Sequence, residues 1–166
     1  MKQILLFLVT SVLVIGCSEP KKTPSDHSRD TQSLEKLFPI LETDQVTAFR
    51  YQDWCQVIQY NRGSFAHSTE GEPPRPATRG ATDFDPKARA DLESVRKQVE
   101  STGTGVFFIE EIKFDVSGRV QYGEFHCGDG QRYIFDPGYT LPADIPNERW
   151  HTKVDSDWYY VLESWN

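Results

Sequence analysis

The sequence predicts an α+β domain: an antiparallel sheet of about five or six strands with one main helix packed on one face. Three observations carry this prediction. Val106–Phe135 holds three strand-like runs joined by two glycine-containing turns, which reads as a meander. Asp85–Ser101 carries apolar residues at helical spacing between a capping aspartate and Gly103. Aromatic and β-branched runs on either side supply further strands, at Val46–Tyr51, Trp54–Tyr60, Trp150–Val154 and Trp158–Leu162.

The chain opens with Lys2 and an apolar run, Ile4–Ile15, too short to span a bilayer comfortably as a helix. The run ends in Val14-Ile15-Gly16-Cys17. These residues resemble the lipobox of bacterial lipoproteins, where an apolar residue, a tolerant position and a small residue precede an obligatory cysteine. The resemblance covers the first 20 residues. It implies cleavage before Cys17 and acylation of its thiol, with small Gly16 giving the peptidase access. Acyl chains contribute ~0.8 kcal/mol per buried CH₂, so several would hold the domain on a membrane. Ser18 follows, not the aspartate associated with inner-membrane retention in enteric bacteria, which directs the expectation to the outer membrane, facing the periplasm. The organisation that follows is residues 1–16 as signal peptide, 17–33 as lipidated cysteine and flexible tether, and 34–166 as one globular domain.

Glu19–Ser33 has two prolines and no apolar period, and reads as a solvated tether with a reach on the order of 20 Å. His27 within it reads as a solvated side chain. Leu34–Leu41 suggests a short helical turn interrupted at Pro39, offering Leu34, Leu37 and Phe38 to the core. In Trp54–Tyr60, Cys55 and Val57 share one face and Trp54, Gln56, Ile58 and Tyr60 the other. Asn61-Arg62-Gly63 turns the chain into Ser64–Ser68 or kinks one longer strand. Thr69–Phe84, with Pro73, Pro74 and Pro76, is excluded from a central strand or helix and reads as a long loop. Asp85 caps the main helix and Pro86 takes its first position. Ala88, Leu92, Val95 and Val99 form its apolar stripe. Pro137–Arg149 is a second proline-spaced loop. The closing aromatics Trp158, Tyr159, Tyr160 and Trp165 suit a core better than a carbohydrate or peptide platform.

Within the meander, Asp115-Val116-Ser117-Gly118-Arg119 reads as a type I turn with a left-handed glycine, closed by Asp115 and Arg119. Regular pairing from there sets Phe114 opposite Val120, Ile112 opposite Tyr122, Glu110 opposite Glu124 and Phe108 opposite His126 on one face. The turn Gly128-Asp129-Gly130 then brings Gln131 opposite Cys127, Arg132 opposite His126 and Tyr133 opposite Phe125. Phe107, Ile109, Phe125, Cys127, Tyr133 and Phe135 share the other face, which is the expected core.

With Cys17 lipidated, Cys55 and Cys127 remain, and an even pair in an oxidising compartment implies one disulfide. The chemistry-bearing candidates are Glu110, Glu124, His126 and Arg132, all expected on the face away from the helix. Two opposed carboxylates repel unless neutralised. They could serve as acid and base, but Arg132 offers the simpler outcome of an ion network. No nucleophile elbow or phosphate loop occurs. No C-x-x-C or H-x-x-x-H spacing points to a metal, and no cofactor is implied.

The chain is 37% apolar and 13% aromatic, enough for a core at 166 residues. Removing residues 1–16, which hold Lys2 and no acid, takes the formal charge from −7 to −8. Such a balance gives no electrostatic reason to seek nucleic acid; it favours solubility and a basic protein partner. The sequence therefore suggests a lipid-anchored extracytoplasmic binding domain, of inhibitor, immunity or envelope-accessory type. The alternative is a small cell-envelope hydrolase using Glu110 and Glu124.

Overall fold

The structure, a computed structural model, describes residues 23–71 and 80–164. Cys17 and most of the expected signal and tether lie outside the described residues. Those described form three helices and one eight-stranded sheet: α1 (Pro24–Glu35), α2 (Phe38–Asp44), β1 (Ala48–Gln52), β2 (Cys55–Tyr60), β3 (Gly63–Ser68), α3 (Pro86–Ser101), β4 (Phe108–Phe114), β5 (Val120–Gly128), β6 (Gln131–Phe135), β7 (Arg149–Lys153) and β8 (Trp158–Glu163). The α+β class and antiparallel sheet are as expected. The sheet is wider than the five or six strands expected, and its helical layer holds more than one main helix.

The strand order is β3-β2-β1-β4-β5-β6-β8-β7, with every strand pair antiparallel. The first three strands form a meander that steps outward, and α3 returns the chain to lay β4 beside β1. The second meander, β4 to β6, extends the sheet. The last hairpin adds β8 against β6 and leaves β7 at the edge.

The helices share one face of this sheet. α3 starts where Asp85 accepts a hydrogen bond from the Ala88 N–H at 2.6 Å, and buries Ala88, Leu92, Val95 and Val99 as its spacing predicts. Pro39 does not interrupt α2 but sits in its first turn, where its missing N–H has no helical partner to lose. Gln45, in the left-handed conformation with φ 51°, ends that helix.

Residues 24–35 correct the tether expectation. Thr23 and Asp26 form a reciprocal capping box with Pro24 in the first turn, and α1 follows. Its helical spacing turns His27, Asp30, Thr31 and Leu34 toward the sheet, all buried. His27 is not solvated: its Nδ1 lies 2.9 Å from the Tyr133 hydroxyl, which donates to Asp30 Oδ2 at 2.7 Å. Three polar residues on the buried stripe hide the helix from a search for apolar period.

Leu34, Leu37, Leu41, Phe49, Ile58, Leu92, Val95, Ile109, Phe125, Tyr133 and Trp158 build one core between helices and sheet. Trp158 is fully buried and donates its indole N–H to Glu35 Oε1 at 3.0 Å. Cys127 packs at the margin of this core, whereas Phe107, expected on the core face, is half-buried outside the core cluster and lines a depression with Phe108 and His126.

The β4–β5 register departs from regular pairing in its middle. Phe114 faces Val120, Ile109 faces Phe125 and Phe108 faces His126, as expected. Between them Lys113 faces Tyr122, Ile112 faces Gly123 and Glu111, not Glu110, faces Glu124. Gln121 is an extra residue on β5 and Glu110 an extra residue on β4; the two bulges cancel. Burial decides the matter. Regular pairing would turn Ile112 away from the helices, whereas here it is 3% exposed in the core, worth about 2 kcal/mol. Gly123 makes room: a Cβ there would sit 2.6 Å from Phe125 Cε2 and 3.0 Å from Ile112 Cδ1. A third irregularity, between His126 and Gly128, sets Gln131 opposite Gly128 rather than Cys127.

The expected Cys55–Cys127 disulfide is also corrected, because the two cysteines do not lie within disulfide distance of each other. β1 and β4 lie between their strands. Cys55 shares Val57's side, where Val57 faces Arg50 and Arg50 faces Phe108. Cys127 lies on the Phe125 side, beneath the helices. Cys55 and Val57 share one face and Ile58 and Tyr60 the other, as expected, but it is Ile58 and Tyr60 that enter the main core, and Trp54 packs with Cys55 and Val57 rather than opposite them.

Candidate functional site

The sheet face away from the helices carries a row of charged and aromatic side chains crossing the strands. It begins with the Arg50 guanidinium, 4.9 Å from the Trp54 ring and 5.0 Å from the Phe108 ring. Phe108 stacks on His126 at 4.6 Å between centroids. His126 Nε2 lies 3.0 Å from Glu110 Oε2 and 3.3 Å from Glu124 Oε1. Arg132 Nε is 2.8 Å from the same Glu124 oxygen, while Arg132 Nη2 reaches Glu163 Oε1 at 2.8 Å. Arg149 Nε closes the row on Glu163 at 2.5 Å.

Each position follows from strand alternation. Glu124 and His126 are two residues apart on β5 and so share a face. Arg132 sits opposite His126, and Val161 opposite Arg132 places Glu163 on the same side. Glu110 belongs to the row because its bulge re-aims the side chain across His126. All four sequence candidates are thus assembled, although Glu110 and Glu124 are not opposed in register; His126 stands between them. Arg50, Phe108, Arg149 and Glu163 were not singled out. Their signal was available only through pairing, since none lies near the four in sequence except Phe108.

Charge is sequestered here. The side chains of Glu124, His126 and Arg132 are 16%, 17% and 14% exposed, against 39% for Glu110. Burial pushes the Glu124 carboxyl upward, but the hydrogen bond to His126 and the Arg132 charge prevail and hold it below the ordinary carboxylate range. The Arg132 hydrogen bond holds Glu163 low as well, against burial. Burial opposes the charge on Arg132, yet Glu163 and Glu124 raise its pKa further above its ordinary value. Burial and Glu124 also raise the Tyr122 phenol, which stays protonated and donates to Glu124 Oε2 at 3.2 Å.

Two depressions adjoin the row. One of about 520 Å³ is lined by Arg50, Phe108, His126, Asp129 and Glu163 among others. One of about 540 Å³ lies between Ile145–Arg149 and Glu163. Neither is lined by Glu110 or Glu124. Among the described residues, Glu110, Glu124 and His126 are the group whose donor atoms could meet on one metal ion.

These features define an α+β domain with three helices on one face of an eight-stranded antiparallel sheet and a neutralised charge row on the other. No family model, curated protein or solved structure matches the chain. Among the described residues, no helix is long and apolar enough to cross a membrane.

Proposed function

We propose that the protein is a lipid-anchored envelope protein, held through Cys17, that uses its charged sheet face to bind a basic protein partner. The inhibitor, immunity and envelope-accessory roles all fall within this reading. The observation that carries it is the placement of α1. This helix packs on the helical face, and its capping residue Thr23 lies six positions after Cys17. The chain between them spans at most about 20 Å. An anchor there approaches from the helical side and leaves the charged face free. On that face Glu110 and Glu111 are the accessible carboxylates, Glu111 paired with Lys113 at 3.0 Å, while the cations Arg132 and Arg149 are occupied by Glu124 and Glu163.

The hydrolase alternative is weaker on the same geometry. A carboxylate pair working as acid and base needs one member held protonated near neutral pH. Glu124 is instead pulled low, and neither carboxylate lines either of the two depressions beside the row.

The test is capture from envelope extract with an immobilised domain that starts at Ser18, so that α1 is intact. Glu110→Lys with Glu111→Lys should abolish capture and leave the melting temperature nearly unchanged. Equal capture by the doubly reversed domain would sink the proposal.

A further inference from the structure

We propose that Glu110, Glu124 and His126 form a binding site for a divalent transition-metal ion, with zinc the best fit to the donors. The site stands independently of the anchor and of any protein partner.

One donor atom from each residue lies within 4.8 Å of the others. His126 Nε2 is 3.0 Å from Glu110 Oε2 and 3.3 Å from Glu124 Oε1. An imidazole nitrogen carries at most one hydrogen, so it serves one of two such oxygens well and the other poorly. A cation satisfies both. Zinc binds imidazole and carboxylate at about 2.0–2.2 Å, which sets tetrahedral ligand atoms about 3.4 Å apart. The two His126 separations need to open by only a few tenths of an ångström, and the donor atoms of Glu110 and Glu124 lie within 4.8 Å of each other. One imidazole with two carboxylates suits zinc better than calcium or magnesium, which prefer all-oxygen shells.

The donors are held from behind, as metal ligands usually are. Phe108 stacks on the His126 ring at 4.6 Å. The Tyr122 hydroxyl donates to Glu124 Oε2, leaving Oε1 toward the site. Glu110 reaches the site from the β4 bulge, a device that re-aims a side chain. His126 also lines the 520 Å³ depression, so a position beyond the three protein donors can remain open to solvent or ligand. Arg132 is the opposing feature, 2.8 Å from Glu124 Oε1. Its charge is shared with Glu163, which also holds Arg149. Three carboxylates balance the three guanidiniums of Arg50, Arg132 and Arg149 across the row, so the case for a cation rests on the donor geometry and not on net charge.

The spacing carries no metal signature, because two donors come from a Glu-x-His step on one strand and the third from a bulge on its neighbour.

The experiment titrates zinc chloride into the untagged domain starting at Ser18, by calorimetry and by competition with a chromophoric chelator. Wild type should bind one equivalent and melt at higher temperature with zinc present. Glu110→Gln and His126→Gln should each weaken binding tenfold or more and lose the thermal shift, while Glu111→Gln binds as wild type. Circular dichroism confirms that the variants fold; Glu110, the most exposed donor, keeps the test available if His126→Gln does not. No zinc binding by wild type, or equal binding by the Glu110 and Glu111 variants, would overturn the site.

Discussion

Replacing Tyr133 by Phe tests whether α1 belongs to the folded domain. The Tyr133 hydroxyl has one proton, which it gives to Asp30 Oδ2 at 2.7 Å. It therefore accepts from His27 Nδ1, 2.9 Å away, and this fixes the proton of that histidine on Nδ1. Asp30 and His27 are only 7% and 8% exposed, so water does not readily replace the missing partner. Phenylalanine keeps the ring and its packing, which makes the cavity contribution small. A hydrogen bond to a charged acceptor contributes about 1.5–3 kcal/mol and a neutral one about 0.5–1.5 kcal/mol. The two together predict a loss of about 2–4 kcal/mol. With a urea dependence of about 2 kcal/mol per molar, the midpoint should fall by about 1–2 M at unchanged slope. Tyr160→Phe is the internal comparison. Its hydroxyl donates at 3.0 Å to Gln131 Oε1, a neutral acceptor, and its loss should shift the midpoint by about half a molar. If Tyr133→Phe shifts the midpoint no more than Tyr160→Phe does, α1 is not held through this network, and the start of the domain must be redrawn.

Three further outcomes follow from the same structure. Mass spectrometry of the mature protein should find Cys17 acylated at the new N-terminus; a membrane-bound Cys17→Ala protein would remove the anchor from the account. Alkylation of the unfolded, unreduced domain starting at Ser18 should label Cys55 and Cys127 both, and in the native state Cys55 should react slowly, since burial pushes its thiol up. Glu124 has a folded pKa below its ordinary 4.5, so its contribution is present above that value and is lost as pH falls through the depressed one. Glu124→Gln should therefore flatten the decline of stability in the acid range below about pH 4.5, and an unchanged profile would mean that His126 and Arg132 do not hold the carboxylate.

The parts of the fold legible in the sequence are those where local signals and burial agree. α3 was readable because Asp85, Pro86 and the stripe from Ala88 to Val99 all point the same way. The Asp115–Arg119 turn was readable too, with Asp115 Oδ1 accepting from the N–H groups of Ser117 and Arg119 and Gly118 at φ 81°. α1 was obscured because its buried face presents His27, Asp30 and Thr31; His27 and Asp30 meet Tyr133, 103 positions or more away, and Thr31 donates to the Ser28 carbonyl. Its start was nonetheless written locally in Thr23-Pro24-Ser25-Asp26. Reading Gly63–Ser68 as part of β2 hides one strand, and the expected five or six also fell below the seven strand-like runs that the sequence marks.

The site shows the same division. Glu124 and His126 share a face by strand alternation alone, and Arg132 follows from the short β5–β6 turn. Glu110 reached the row by a different route from the one expected. Regular pairing would have opposed it to Glu124, but the core claims Ile112 and shifts the pairing by one residue, so Glu110 bulges out beside His126. Neither bulge is visible without knowing what covers the sheet. The disulfide expectation failed for a related reason, since Cys55 and Cys127 were each given the right neighbours within their own strand and the wrong relation between strands.

The claim that the charged face is the binding face can be tested in living cells. A photo-reactive benzophenone amino acid is placed at Glu111, exposed on that face, and separately at Lys97, exposed on the outer side of α3. After irradiation, the account predicts a discrete crosslinked envelope protein from position 111 and none from position 97. A crosslink from position 97 with none from position 111 would contradict it, because the partner would then sit on the helices.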